Sequence, residues 1–246
     1  MTTGQAQFDA VYQELILGRQ FVEYRDYYVQ SRQRYRQIIE VIGGLGLAAG
    51  ARHLDVGGGQ MALLAGRMFG LSPHVGDVVE TAAADVVAQG VGFQRLNLMD
   101  DTYPVDQRYD LVTLLEVIEH IPTPPYVTLQ KVATLLNPGG WVVMTTPNGF
   151  RIRNILRMLT NREVLDIYRY PEGDQGLGHQ HEYTLRQLQW QLGRAGFTDV
   201  DVRTYMSGWR GASAQARLAH AVTLPFSLFP HLRDGLLATA RLPTDG

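Results

Sequence analysis

From Arg52 onward the chain alternates short β-rich runs with segments of helical periodicity, and this alternation constrains the fold more than any other feature. The runs are RHLDV, HVGDVV, GFQRLNL, YDLVTLL and WVVMTT, with ALLAGRMF, TAAADVVAQG and PYVTLQKVATLLN between them. Strands joined through helices need crossover connections, so the pattern predicts a parallel sheet wound on both faces. DVDVRTY and LLATARL add two last strands, the second returning antiparallel. The expected fold is α/β and doubly wound, with seven mostly parallel strands.

Upstream, Phe21, Tyr24, Tyr28, Tyr35, Ile38, Ile39 and Ile42 recur at helical spacing until GGLG stops the pattern, so two N-terminal helices are expected. Residues 148–182 form a long arginine-dotted excursion, read as an inserted substrate cover, before the amphipathic TLRQLQWQLGRAGF. With 246 residues and 45% hydrophobic content the chain is expected to form one domain, residues 1–46 acting as a helical lid. QARLAHAVTLPFSLFPHL is apolar but broken by Pro225 and Pro230, which leaves core packing, lipid contact and a homodimer through this segment open.

A formal net charge of -2 offers no basic face for a phosphate backbone, so the expected partner is a small-molecule acceptor and not nucleic acid. With no cysteine there are no thiolate sites or disulfides. MTTGQAQFDAVYQE lacks the apolar core of a signal peptide and no apolar run is long enough to span a membrane, so the expected location is cytoplasmic.

HLDVGGGQMALLAG joins the first strand to the first helix through Gly57, Gly58 and Gly59, where missing side chains let a ligand approach the backbone. Asp77 follows about twenty residues on, at the tip of the second strand, where a carboxylate can accept bonds from ribose hydroxyls. GGGQMA also satisfies a loose dinucleotide pattern. Asp55 argues against NAD, since an acid there repels a pyrophosphate yet can orient a cationic amino group.

Together these motifs resemble the class I S-adenosylmethionine-dependent methyltransferases, with their Rossmann-like sheet and a D-x-G-x-G-x-G first motif. Here it reads Asp55, Gly57, Gly59 and then Met61 in place of the third glycine. The resemblance implies S-adenosylmethionine as cofactor, its ribose on Asp77, its adenine beside Val78, and Asn97 with Leu98 at the other adenine edge, Asp100 being an alternative to Asn97.

LLEVIEHIPTP places Glu116, Glu119 and His120 directly after the fourth strand, facing the cofactor crevice. On one helical turn their heads converge, and two carboxylates so close repel unless a cation or proton lies between them. GHQHEYT adds His179 and His181. E-x-x-E-H with a distant H-x-x-E-aromatic-T resembles the ubiquinone-pathway O-methyltransferases and the small-RNA 2′-O-methyltransferases. That resemblance implies Glu116, Glu119, His120 and His179 as ligands of a divalent metal (Mg²⁺, Mn²⁺, Fe²⁺ or Zn²⁺). A metal-free site would use His120 or His179 as general base, with His181 a further catalytic candidate. Glu182 reads as a cap for the next helix, and Tyr24, Tyr27 and Tyr28 as an aromatic lid. A cofactor-binding subunit without catalysis is the reading from outside the enzymes.

Overall fold

The computed structural model describes residues 3–19, 25–78, 80, 84–100, 107–165, 178–207, 221 and 224–244. A seven-stranded sheet runs β3-β2-β1-β4-β5-β7-β6. Its strands are β1 (Arg52–Val56), β2 (Ser72–Asp77), β3 (Gly92–Arg95), β4 (Tyr109–Leu115), β5 (Leu136–Pro147), β6 (Thr198–Tyr205) and β7 (Gly235–Arg241). The first five pair in parallel and β7 is antiparallel to both neighbours. Strand order reverses between β1 and β4, which opens a crevice at their carboxyl ends.

The helices are α1 (Thr3–Tyr12), α2 (Arg25–Gly44), α3 (Gln60–Phe69), α4 (Ala84–Val87), α5 (Pro125–Leu135), α6 (Ile152–Leu159) and α7 (Leu185–Arg194). Tyr28, Tyr35, Ile38, Ile39 and Ile42 form the buried stripe of α2, as their spacing requires; Phe21 and Tyr24 lie outside the described residues. One core packs α1 and α2 with α3 on one face of the sheet, and a second packs α5 and α7 on the other. Inside the expected cover, 148–182, α6 is an element the sequence reading lacked; residues 166–177 lie outside the described residues, as do 215–220, 222 and 223 of the apolar QARLAHAVTLPFSLFPHL. Among the described residues no helix is long and apolar enough to cross a membrane.

A buried hydrogen-bond thread fastens β1 to β4. Thr113 on β4 gives its hydroxyl proton to Asp55 Oδ1 at 2.6 Å, so it must accept from His53 Nε2 at 2.9 Å. His53 is therefore the neutral Nε2–H tautomer, and its buried Nδ1 has no partner to receive a second proton. Burial accordingly pulls the His53 pKa down to about 3. As pH falls below the ordinary histidine value the unfolded chain takes up a proton that the fold refuses, so this stabilisation is lost between about pH 6.5 and 3. Asp55, pushed up to about 6 by burial, acts oppositely over a narrower interval. His53→Gln is expected to be less stable than wild type at pH 7.5, the gap in urea midpoint closing by pH 4; a constant gap contradicts the neutral buried imidazole.

Candidate active site

At the end of β4 the Glu116 amide donates to Thr145 O at 2.9 Å and the chain then reverses. Glu116 takes φ 58°, a left-handed conformation uncommon outside glycine, and Ile118–His120 form one 3₁₀ turn. Glu116, Glu119 and His120 thus do not share an α-helical turn, and the two carboxylates take different partners. Glu116 meets Arg34 Nη1 of α2 at 3.3 Å and accepts from the Tyr205 hydroxyl at 3.2 Å. Glu119 turns into the protein, fully buried, with Thr146 donating to Oε2 at 3.1 Å and nothing bonded to Oε1.

His179 reaches this turn because its segment is bonded to it. The backbone carbonyl of Glu119 accepts from the amides of Gln180 at 2.7 Å and His181 at 3.2 Å, and the Gly149 amide donates to Tyr183 O at 2.9 Å. The His120 and His179 rings meet edge-on with centroids 4.8 Å apart. One ligand atom each from Glu119, His120 and His179 lie within 4.8 Å of one another. Glu116 stands outside that group, so three of the four metal candidates are brought together. His181 is exposed, its ring 6.1 Å from that of Tyr183, and does not line the cavity.

Burial, and secondarily the neighbouring Glu116, push the Glu119 pKa up to about 8, against the pull of Thr146 and Arg34. A buried carboxylate oxygen without a partner beside two imidazoles calls for a proton or a cation. The donor set, one carboxylate and two imidazoles, fits a divalent cation with positions left for oxygen ligands.

The glycine turn sits across the crevice. Gly57 and Gly58 have φ 81° and 153°, and a Cβ on Gly57 would stand 3.2 Å from Val117 Cγ2. Gly59 serves packing instead: at φ 83° it precedes α3, and a Cβ there would stand 2.7 Å from Val86. Asp55 fastens this loop from beneath, accepting from Met61 N at 2.9 Å and from Thr113. Met61, where the resembled first motif has glycine, is a fully buried core residue whose amide still serves Asp55.

Two cavities meet here. One of about 600 Å³ contains Asp55, Gly58, Arg34, Glu119 and His179; one of about 520 Å³ contains Val78, Asn97 and Leu98. Both reach Gly57, Asp77, Glu116 and His120, so a single elongated ligand can occupy the pair. Asn97 Nδ2 donates to Asp100 Oδ1 at 2.9 Å, and Lys131 Nζ holds the carbonyls of Leu98 at 3.1 Å and Asp100 at 2.6 Å. The two alternative adenine contacts therefore belong to one pinned turn.

Tyr27 and Tyr28 line the larger cavity; Tyr24 lies outside the described residues. Gln60 donates to the Tyr28 hydroxyl at 3.1 Å, and Arg34 to that of Tyr27 at 2.5 Å. Sequence reasoning missed Arg34. Its signal was a charge among apolar positions of α2, between buried Ser31 and Ile38. Glu182 does not cap α7: Thr184 accepts from Gln187 N and completes a capping box, while Glu182 is bonded to Arg151, Asn154 and His179.

A family model described as a methyltransferase domain matches residues 26–202. A ubiquinone biosynthesis O-methyltransferase of Paraburkholderia phytofirmans is 32% identical over 114 residues, 41% of this chain and 46% of that protein. The match thus spans about half the length of this curated relative. Phosphoethanolamine N-methyltransferase 2 of Haemonchus contortus in complex with S-adenosyl-L-methionine superposes with a TM-score of 0.58 at 16% identity, covering 96% of this chain and 60% of that one. The N-methyltransferase NodS of Bradyrhizobium japonicum with S-adenosyl-l-homocysteine gives 0.51 at 16% identity, over 87% and 88%. With 26–202 matched on a 3-2-1-4-5-7-6 sheet, the chain belongs to the class I S-adenosylmethionine-dependent methyltransferase domain family, with distant homology to the ubiquinone biosynthesis O-methyltransferases.

Proposed function

We propose that the protein is an O-methyltransferase for a small molecule bearing neighbouring hydroxyls, such as a catechol or a sugar diol, assisted by a divalent cation. The observation that carries this reading is the Glu119, His120 and His179 cluster with its unpartnered buried carboxylate oxygen.

In this reading Asp77 holds the cofactor ribose, and the cavity of Val78, Asn97 and Leu98 takes the adenine. The backbone of Gly57 and Gly58 and the buried guanidinium of Arg34 receive the amino-acid end. S-adenosylmethionine supplies a methyl group by in-line displacement, which rewards alignment of the acceptor above other contributions. Glu119, His120 and His179 would hold the cation, whose Lewis acidity makes a bound hydroxyl easier to deprotonate. The α1–α2 region acts as lid and the 148–182 segment as cover, with Tyr27 and Tyr28 excluding water.

A metal-free mechanism is the second reading: buried away from water with Oε1 unpartnered, Glu119 can be kept neutral by a proton in place of a cation. His179 or His120 is then the general base. Transfer of labelled methyl from S-adenosylmethionine to catechols and sugar diols, with chelator and after Mn²⁺ is restored, separates the readings. Cation assistance predicts loss of turnover in chelator and recovery with Mn²⁺; a full rate in chelator removes it.

A further inference from the structure

Glu182 takes no part in either reading of the reaction, yet it is a carboxylate with 3% side-chain exposure enclosed by three donors. Arg151 Nη2 and His179 Nδ1, the latter at 3.3 Å, share Oε1, while Asn154 Nδ2 meets Oε2 at 2.5 Å. Arg151 and Asn154 are themselves fixed: Arg151 Nε donates to Asn154 Oδ1 at 3.2 Å, and Asn154 Nδ2 also donates to Gly149 O at 3.1 Å. A carboxylate paired with arginine is an acceptor only, so the His179 nitrogen facing it must carry the proton. In the neutral ring that leaves Nε2 as the bare nitrogen of His179, in an imidazole whose centroid stands 4.8 Å from that of His120 and which offers a ligand atom within 4.8 Å of ligand atoms of Glu119 and His120.

We propose that Glu182 is a positioning residue that locks His179 in the Nδ1–H tautomer, so that Nε2 presents its lone pair to the reaction centre. This rests on the proposed role of His179 but not on which of its two forms holds: a cation ligand and a general base both need the same free lone pair. It also gives the start of the excursion a task. The N-cap and first turn of α6 supply the arginine and the asparagine that keep the carboxylate still. The His179-x-x-Glu182 spacing is what lets one short segment carry both the imidazole and its orienting group.

The test is a long-range ¹H–¹⁵N correlation spectrum of protein with labelled histidine, His179 being assigned by its loss in His179→Gln. Wild type is expected to show the Nδ1–H pattern, the minority form of free neutral imidazole. Glu182→Gln is expected to give a mixture or the Nε2–H form, with Glu182→Asp intermediate. Turnover and Mn²⁺ affinity of Glu182→Gln should fall roughly 10–100-fold, the range for outer-shell carboxylates, with KM for S-adenosylmethionine unchanged. An Nε2–H pattern in wild type overturns the proposal, and so does an unchanged tautomer in a folded Glu182→Gln protein; should that variant not fold, the wild-type spectrum decides alone. Mn²⁺ relaxation titration of wild type reports separately on the cation. Absence of uptake with the Nδ1–H pattern intact removes the cation and keeps Glu182 as the orienter of a base.

Discussion

Glu119→Gln is expected to reduce turnover by about 100-fold or more, beyond the loss typical of an outer-shell change, while leaving S-adenosylhomocysteine affinity within about twofold. The amide keeps the shape and still accepts from Thr146, so the fold has no reason to suffer. What disappears is the one oxygen in the cluster that has no partner. The sign of the stability change identifies the cause. In the fold Glu119 stays protonated up to about pH 8, whereas in the unfolded chain it ionises at an ordinary carboxyl value. The wild-type protein freed of cation therefore loses stability as pH rises through that interval, and Glu119→Gln does not. Urea midpoints at pH 5.5 and 8.5 in chelator should show the variant gaining on wild type at the higher pH. A variant that is fully active, or that loses ground with rising pH, contradicts the assignment.

Arg34→Met is the second large effect. Arg34 has 2% side-chain exposure and Glu116 has 17%, so methionine fills the volume but strands a carboxylate beside Glu119. Removing one member of a buried pair costs about 3 kcal/mol, or roughly 6–12 °C in melting temperature for a chain of this size. The double variant Arg34→Met, Glu116→Gln should regain more than half of that loss, because the stranded charge goes with it. Both variants should bind S-adenosylhomocysteine at least about tenfold more weakly if Arg34 receives the amino-acid end. Calorimetric melting and titration read both quantities; a single variant within about 1 kcal/mol of wild type shows that the pair is not the anchor.

Those residues also show how far the sequence reading reached. RHLDV and YDLVTLL coincide with β1 and β4, since strand composition bounded by turn residues is a local signal. The doubly wound order follows from the connection rules. The crevice residues Gly57, Gly58, Asp77, Val78, Asn97 and Leu98 all line its cavities, because topology places strand ends there. Glu116 departs from its expected place because convergence at i, i+3 and i+4 presumes an α-helix. A left-handed residue followed by a 3₁₀ turn is decided by tertiary bonds, among them the amide of Glu116 on Thr145. Arg34 was hidden for the same reason: its partner lies 82 positions away on another element. The short α6 was legible, since Ile152, Ile155, Leu156 and Leu159 recur at i, i+3, i+4 and i+7, but arginines on the other face masked the pattern.

The stitch between Gly149 and Tyr183 has an evolutionary consequence. Asn148 pairs with Tyr183 as a parallel bridge, so the excursion begins and ends at neighbouring points of the scaffold. Each doubling of a closed loop's length costs only about 0.6 kcal/mol, so chain beyond Leu159 and before Gly178 can be exchanged or lengthened at small thermodynamic expense. The imidazole, its carboxylate and the buried turn stay inside the knot that ties the loop off. With 148–182 acting as the proposed substrate cover, new acceptors would be open to selection through this part of the chain, without re-evolving the chemistry beneath it.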